Sequence, residues 1–566
     1  MRHARLAVPI VLVSAIAIAG LHARDQTAQP AGISQALAAI QKQDWDGAIA
    51  ILEPLAKSQP GNPQVWRFLG LAYHSKKDLD KAMAAHLKAA EFDQTRPIAL
   101  YNIAMVHALR GERDAAFEWL ERARETKRVD LTQIGTDTDA ASLRDDPRYA
   151  RLFPSKAEFA DPFVEPATII REWDGESAGD QFGWIARNIG DVDGDGVDDV
   201  TTSAPTRAAG GAKNAGTVYV YSTKSGKLLW SADGPAGGQL GLGIEAAGDT
   251  NKDGIPDVVA AAPGADRAYV YSGRDGKALL SLDAPQKGEG FGRHVSDTGD
   301  LNGDGYADVL VGAPQNDAAG PDAGRAYVYS GKDGSILLTL TGEEAGDQFG
   351  AAVAGARDKD HLFLLVGAPN AGPSQSGRTY VYKSLSDRPA FVIESDDTGA
   401  QLGGMFISVV GDVDADGTPD VYASDWPNNA KGRSTGRVYV HSGRTGARLL
   451  TLTGEAAGDG FGIGPADAGD VDGDGHADLV IGAWQQANTA ASGGKVYLYS
   501  GRDGSLIRAW TGKVMGETFG FDATGMGDVN GDGTIDLLLT SAWSAINGSK
   551  SGRIFIVSSK ATGEGR

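Results

Sequence analysis

Gly190-Asp191-Val192-Asp193-Gly194-Asp195-Gly196-Val197-Asp198-Asp199 is the stretch that decides the fold. Asp191, Asp193, Asp195 and Asp199 stand at relative positions 1, 3, 5 and 9. With the main-chain carbonyl of Val197 at position 7, five oxygens converge on one point. A hard cation of calcium size takes about 6–8 such oxygens, and glycine at position 6 permits the sharp turn that gathers them.

The pattern recurs at Asp249, Asn251, Asp253, Ile255 and Asp257, and at Asp300, Asn302, Asp304, Tyr306 and Asp308. It returns at Asp412, Asp414, Asp416, Thr418 and Asp420, and at Asp470, Asp472, Asp474, His476 and Asp478. A last copy is Asp528, Asn530, Asp532, Thr534 and Asp536. The starts are spaced by 58, 51, 112, 58 and 58 residues. The long gap is two periods and hides a damaged copy, residues 355–362, with Asp358 and Asp360 but one residue short and without the turn glycine. No metal is expected there. An EF-hand would need Glu at position 12. That position is Thr202, Ala260, Val311, Ala423, Ile481 or Leu539, and the flanks read as strands. The spacing therefore predicts about six calcium loops between β-strands, each with a structural role.

One unit, read from Phe291-Gly292, runs through the loop into residues 308–314, then 324–330, a Gly331-Lys-Asp-Gly334 turn and residues 335–340. Four short strands with turn punctuation make a blade. Seven units predict a mainly β chain folded as a seven-bladed propeller, a radial array of four-stranded sheets. The last unit stops after residues 553–559 without a fourth strand. Residues 167–172 precede blade 1 and are expected to complete blade 7, with residues 166–173 as the closing segment. That pairing would cover an edge otherwise open to aggregation.

Phe-Gly stands at Phe182, Phe291, Phe349, Phe461 and Phe519, with Leu240-Gly and Leu402-Gly in the other two units. Gly-Ala-Pro begins at Gly312 and Gly367, and Ser203-Ala-Pro and Ala261-Ala-Pro are close variants. Together with the Asp-rich loops, these motifs resemble the FG-GAP repeats of integrin alpha subunits. The resemblance implies a seven-bladed propeller with calcium in blade loops. Integrins carry metal in only some blades, so six loops is a departure. With no Arg-Gly-Asp and no sign of an integrin stalk, adhesion by an integrin heterodimer is not implied.

The rest of the chain organises around this. Residues 1–24 read as a secretory signal, basic at the start and apolar from Leu6 to Leu21; an uncleaved anchor is the alternative. Residues 25–155 are a helical domain. Trp66-x-x-Leu69-Gly70-x-x-Tyr73, then Ala82 and Ala89, fit the tetratricopeptide pattern, with a looser copy about 34 residues on. Residues 145–153 are expected to end a capping segment, 156–166 to be a linker, and 163–562 to form the propeller.

The net charge of −21 argues against nucleic acid and anionic membranes as partners. Of the 74 acidic residues, 21 occupy ligand positions in the loops. Nothing beyond the first segment is apolar enough to span a membrane, and the chain has no Cys. Gly432-Arg-Ser434-Thr-Gly436 matches a nucleophile elbow in letters only, because a strand, not a helix, should follow it. A non-enzymatic, secreted or periplasmic binding protein is the expectation, with an unidentified protein or polysaccharide as partner and a peptide in the helical groove as a further candidate. Its rivals are a lectin-like propeller and an accessory domain of an extracellular hydrolase. Trp426, Trp484 and Trp543 follow the second strands of blades 5 to 7, where the first four blades carry proline. They are the candidate partner surface, with packing between blades as the alternative.

Overall fold

The computed structural model describes residues 31–357 and 360–560. The signal read in residues 1–24 and the carboxylate of Asp358 lie outside the described residues. Two compact units divide between Ser155 and Lys156.

The first unit is built of α1 (Ala31–Gln41), α2 (Trp45–Ser58), α3 (Pro63–Ser75), α4 (Leu79–Ala90), α5 (Arg96–Leu109) and α6 (Arg113–Glu125). Side-chain caps start three of them. Asp44 accepts from Gly47 N, Asn62 from Gln64 N and Asp78 from Lys81 N, each satisfying an orphan helix donor. Apolar residues at helical spacing, among them Leu52, Val65, Phe68, Leu69, Ala72 and Ala82, form one buried core. Gly70 lets α3 approach α4 because the His86 ring fills the space beside it; a Cβ there would lie 2.5 Å from His86 Nδ1.

Short 3₁₀ turns at Leu131–Gly135, Thr138–Leu143 and Tyr149–Leu152 follow. The first two do more than cap the end of the array. Leu131, Ile134, Ala140 and Leu143 are buried, and the segment lies against α3 and α5. Tyr101 donates to Asp137 at 2.7 Å, His74 Nε2 meets Asp139 at 2.9 Å, and Ser142 Oγ donates to the Ala108 carbonyl at 2.9 Å. Segment 131–143 thus covers His74 of α3 and Tyr101 of α5.

The second unit is a seven-bladed propeller of seven four-stranded antiparallel sheets. Within each, the two middle strands are the most buried, as in Asp308–Ala313 and Arg325–Tyr329 of blade 3. The seventh sheet is completed by Ile169–Asp174, antiparallel to Arg553–Ser558, with Trp173 opposite Ile554 and Asp174 opposite Arg553.

The Phe-Gly motif has a physical task here. The glycine ahead of a third strand bridges the Phe or Leu of the next blade: Gly216 with Leu240, Gly324 with Phe349, Gly377 with Leu402 and Gly494 with Phe519. Gly552 with Phe182 repeats the bridge from blade 7 to blade 1. Gly324 has φ +86°, and a Cβ on it would lie 2.1 Å from the Phe349 carbonyl oxygen, so no larger residue fits. The ring is closed twice, by a shared sheet and by this bridge.

Candidate metal centres

The loops are shaped by their first aspartate. In blade 1, Asp191 accepts from Gly194 N at 2.7 Å, Asp195 N at 3.0 Å and Gly196 N at 2.8 Å, and so folds the chain around its own carboxylate. The last of these bonds repeats in the other loops, from Gly254 to Asp249, Gly305 to Asp300, Gly417 to Asp412, Gly475 to Asp470 and Gly533 to Asp528. The position-5 carboxylates, Asp195, Asp253, Asp304, Asp416, Asp474 and Asp532, accept from the backbone N–H at position 7. The carbonyls at position 7, of Val197, Ile255, Tyr306, Thr418, His476 and Thr534, accept no hydrogen bond among the described residues.

The closing aspartate is fully buried in all six loops. Asp199 accepts from Val192 N at 3.0 Å with one oxygen and from Thr223 N at 3.1 Å with the other. Asp257, Asp308, Asp420 and Asp478 do the same with position 2 and with Gly273, Gly331, Gly443 and Gly501. Asp536 accepts from Val529 N. This residue therefore ties the loop to the turn between the third and fourth strands of its own blade. Burial pushes the carboxyls of Asp199 and Asp420 up to about 6 and that of Asp536 up to about 7, against the opposing backbone donors. A nearby positive charge favours the ionised form.

The donor set fits a hard cation. Oxygens of Asp191, Asp193 and Asp199 lie within 4.8 Å of one another, as do those of Asp412, Asp414 and Asp420, and of Asp470, Asp472 and Asp478. The other three loops have asparagine at position 3, which supplies an amide in place of a charge. Asn251 Nδ2 donates to Asp257 at 3.2 Å and Asn530 Nδ2 to Asp536 at 3.3 Å, while the Asn302 amide oxygen accepts from Asp304 N. In every case position 3 is beside the closing carboxylate or the turn.

A basic side chain at each loop escaped the sequence reading. Lys224 Nζ donates to the Asp195 carbonyl at 2.6 Å, and Lys560 Nζ to that of Asp532 at 3.3 Å. Arg274, Lys332, Arg444 and Arg502 reach the carboxylates of Asp253, Asp304, Asp416 and Asp474 at 3.3, 3.8, 3.1 and 3.8 Å. Their signal is a repeated Ser-Gly-basic-x-Gly turn, as at residues 272–276, 442–446 and 500–504. In blade 4, which lacks the loop pattern, Lys383 donates instead to the Gly443 carbonyl at 2.6 Å. The His476 ring also has a partner: its Nδ1 meets the Val413 carbonyl of the blade 5 loop at 2.7 Å.

The three tryptophans do not form one exposed sector. Trp484 is 1% exposed and packs edge-on against Trp543 at 4.9 Å and Phe521 at 5.5 Å. Its place is between blades, so it is corrected from binding to packing. Trp543 is half-buried under Lys550, and Trp426 is half-buried in blade 5. Ser434 sits at φ +54° in a turn that leads into the strand Arg437–His441, without the geometry of an elbow.

Two family descriptions match the propeller. FG-GAP repeat matches residues 182–221 and 294–329, and FG-GAP-like repeat matches 249–311 and 470–539. These matches fall in blades 1, 2, 3, 6 and 7. Tetratricopeptide repeat matches residues 33–97 of the helical unit. Integrin alpha-4 of Xenopus laevis is 35% identical over 196 residues, 32% of this chain and 18% of that protein. Integrin alpha-2 of Mus musculus is 31% identical over 257 residues, 40% of this chain and 21% of that protein. Phosphatidylinositol-glycan-specific phospholipase D of Rattus norvegicus is 33% identical over 183 residues, 28% of this chain and 22% of that protein. The chain spans about a fifth of the length of these relatives. No helix among the described residues is long and apolar enough to cross a membrane.

Proposed function

We propose that the FG-GAP propeller is a calcium-stabilised interaction module, of the adhesion type, that works outside the cytoplasm as a secreted or periplasmic protein. The observation that carries this reading is the shared hydrogen-bond frame of the six loops, with position 1, 3 and 9 carboxylates clustered in three of them and position-7 carbonyls uncommitted. A bound Ca²⁺ supplies positive charge to carboxylates that otherwise repel one another. The chain's own residues do the rest: position 1 folds the loop, position 9 anchors it to the blade, and the basic side chain screens position 5. Affinity of about 10⁻⁴–10⁻³ M, usual for extracellular modules, matches the calcium available there. The similarity to integrin alpha subunits supports an interaction role, and the partner is an extracellular protein.

The similarity to a phospholipase D favours one second reading, in which such a propeller accompanies a catalytic domain. Equilibrium dialysis of the full chain against Ca²⁺ tests the first. About six ions bound per chain support it, and fewer than one removes it. Capture from native envelope or medium fractions, with and without EDTA, then tests whether partner binding depends on those ions.

A further inference from the structure

The first strands of the blades line a cavity of about 230 Å³ inside the propeller, a few residues ahead of the loop ligands in each strand. Its wall carries Arg187, Glu245, Asp297 and Asp467 beside an apolar surface that includes Val353, Phe406 and Ile407. The His294 and Phe406 rings meet edge-on at 6.5 Å, from blades 3 and 5.

Among the lining residues carboxylates outnumber cations, and the neighbouring Arg293 acts on His294. Arg187 is the only lysine or arginine among its lining residues. Its Nε donates to Glu245 at 2.6 Å and its Nη1 to the buried Asp522, so one guanidinium is committed to two carboxylates. Asp467 accepts from Gly469 N at 2.9 Å. The Asp297 carboxylate has no hydrogen bond and no ion pair among the described residues. Burial, and then Glu245, push its carboxyl up to about 7. His294 supplies no charge, since burial pushes its imidazole down to about 3.

The cavity has room for more than an ion. A cavity of about 150 Å³ takes up benzene, so this one accommodates a ligand of roughly ten non-hydrogen atoms. Asp297 belongs to blade 3 and Asp467 to blade 6, on different sides of the ring. A ligand with separated positive charges and an apolar body between them matches both features.

We propose that the axial cavity binds a small aliphatic polyamine, with ammonium groups on Asp297 and Asp467 and methylenes along Val353, Phe406 and Ile407. The site shares no residue with the calcium loops and stands independently of the function proposed above.

Titration calorimetry of the full chain with spermidine tests it, in excess Ca²⁺ so that the loop carboxylates are engaged. The uncharged chain 1,8-octanediol is the control. Spermidine binds one to one and the diol gives no heat. Asp297→Asn and Asp467→Asn, each checked for unchanged melting, weaken spermidine about tenfold or more, as expected for loss of a charge pair at the cavity wall. If Asp297→Asn fails to fold, Asp467→Asn carries the comparison. Equal affinity in wild type and the folded variants, or no binding at millimolar spermidine, overturns the proposal.

Discussion

Asp420 accepts a hydrogen bond from the Gly443 backbone N–H at 2.8 Å, joining the blade 5 loop to a turn 23 residues further on. The other oxygen of Asp420 accepts from Val413 N at 2.8 Å. Asp420→Ala leaves both buried donors without a partner, at a cost of about 2–4 kcal/mol. The variant melts lower even in EDTA, where metal binding plays no part. An EDTA melting curve that overlays wild type would show that the closing aspartate has only a ligand's role.

Ring closure rests on Arg553, which is fully buried and lies 3.0 Å from Glu172, 3.9 Å from Asp174 and 3.6 Å from Glu517. Two of these carboxylates belong to the strand that completes blade 7. Arg553→Met leaves them unneutralised and is expected to destabilise by about 3–5 kcal/mol. Adding Glu517→Gln recovers part of the loss, because it removes one buried charge. A double-mutant cycle with zero coupling would contradict this account of the seam.

The helical unit carries its own pH dependence. His86 is buried, and neither ring nitrogen has a hydrogen-bond partner among the described residues. Burial, and then His74, push its imidazole down to about 3. In the unfolded chain His86 takes a proton near its ordinary value of about 6.5. Between those values the unfolded state binds more protons, so stability falls as pH falls. The loss is about 1.4 kcal/mol per pH unit below roughly 6.5. His86→Leu flattens that slope in helix melting followed by circular dichroism between pH 7 and 4.5. An unchanged slope in the variant would assign the acid sensitivity elsewhere.

Trp484→Ala and Trp426→Ala separate packing from recognition. Trp484 fills space among Phe521 and Trp543. Its removal costs about 3–5 kcal/mol. Trp426, half-buried, is expected to change partner capture more than melting. The reverse pattern would exchange their roles.

The sequence speaks most clearly where chemistry repeats at a fixed period. Carboxylates at positions 1, 3, 5 and 9 are few enough in type, and regular enough in spacing, to be read without coordinates. So is the missing fourth strand of the last unit, because a sheet edge must be covered. The bond from Thr223 N or Gly443 N to a closing aspartate was not legible, since it depends on how the turn curls back. The same holds for Lys224 and Arg444, which look like ordinary solvated turn residues. Trp484 misled because a one-dimensional register does not show whether an indole points outward or between blades. Segment 131–143 was hidden by its polar composition, since four buried apolar residues suffice to dock it.

The central claim is that calcium in the loops holds the propeller together. Thermal unfolding of the full chain in excess Ca²⁺ and in EDTA tests it most directly. A ligand confined to the folded state adds about 2.7 kcal/mol per site at a hundredfold excess over Kd. Several such sites predict a melting temperature higher by on the order of 10 °C in Ca²⁺. Coincident transitions in Ca²⁺ and EDTA would contradict the account.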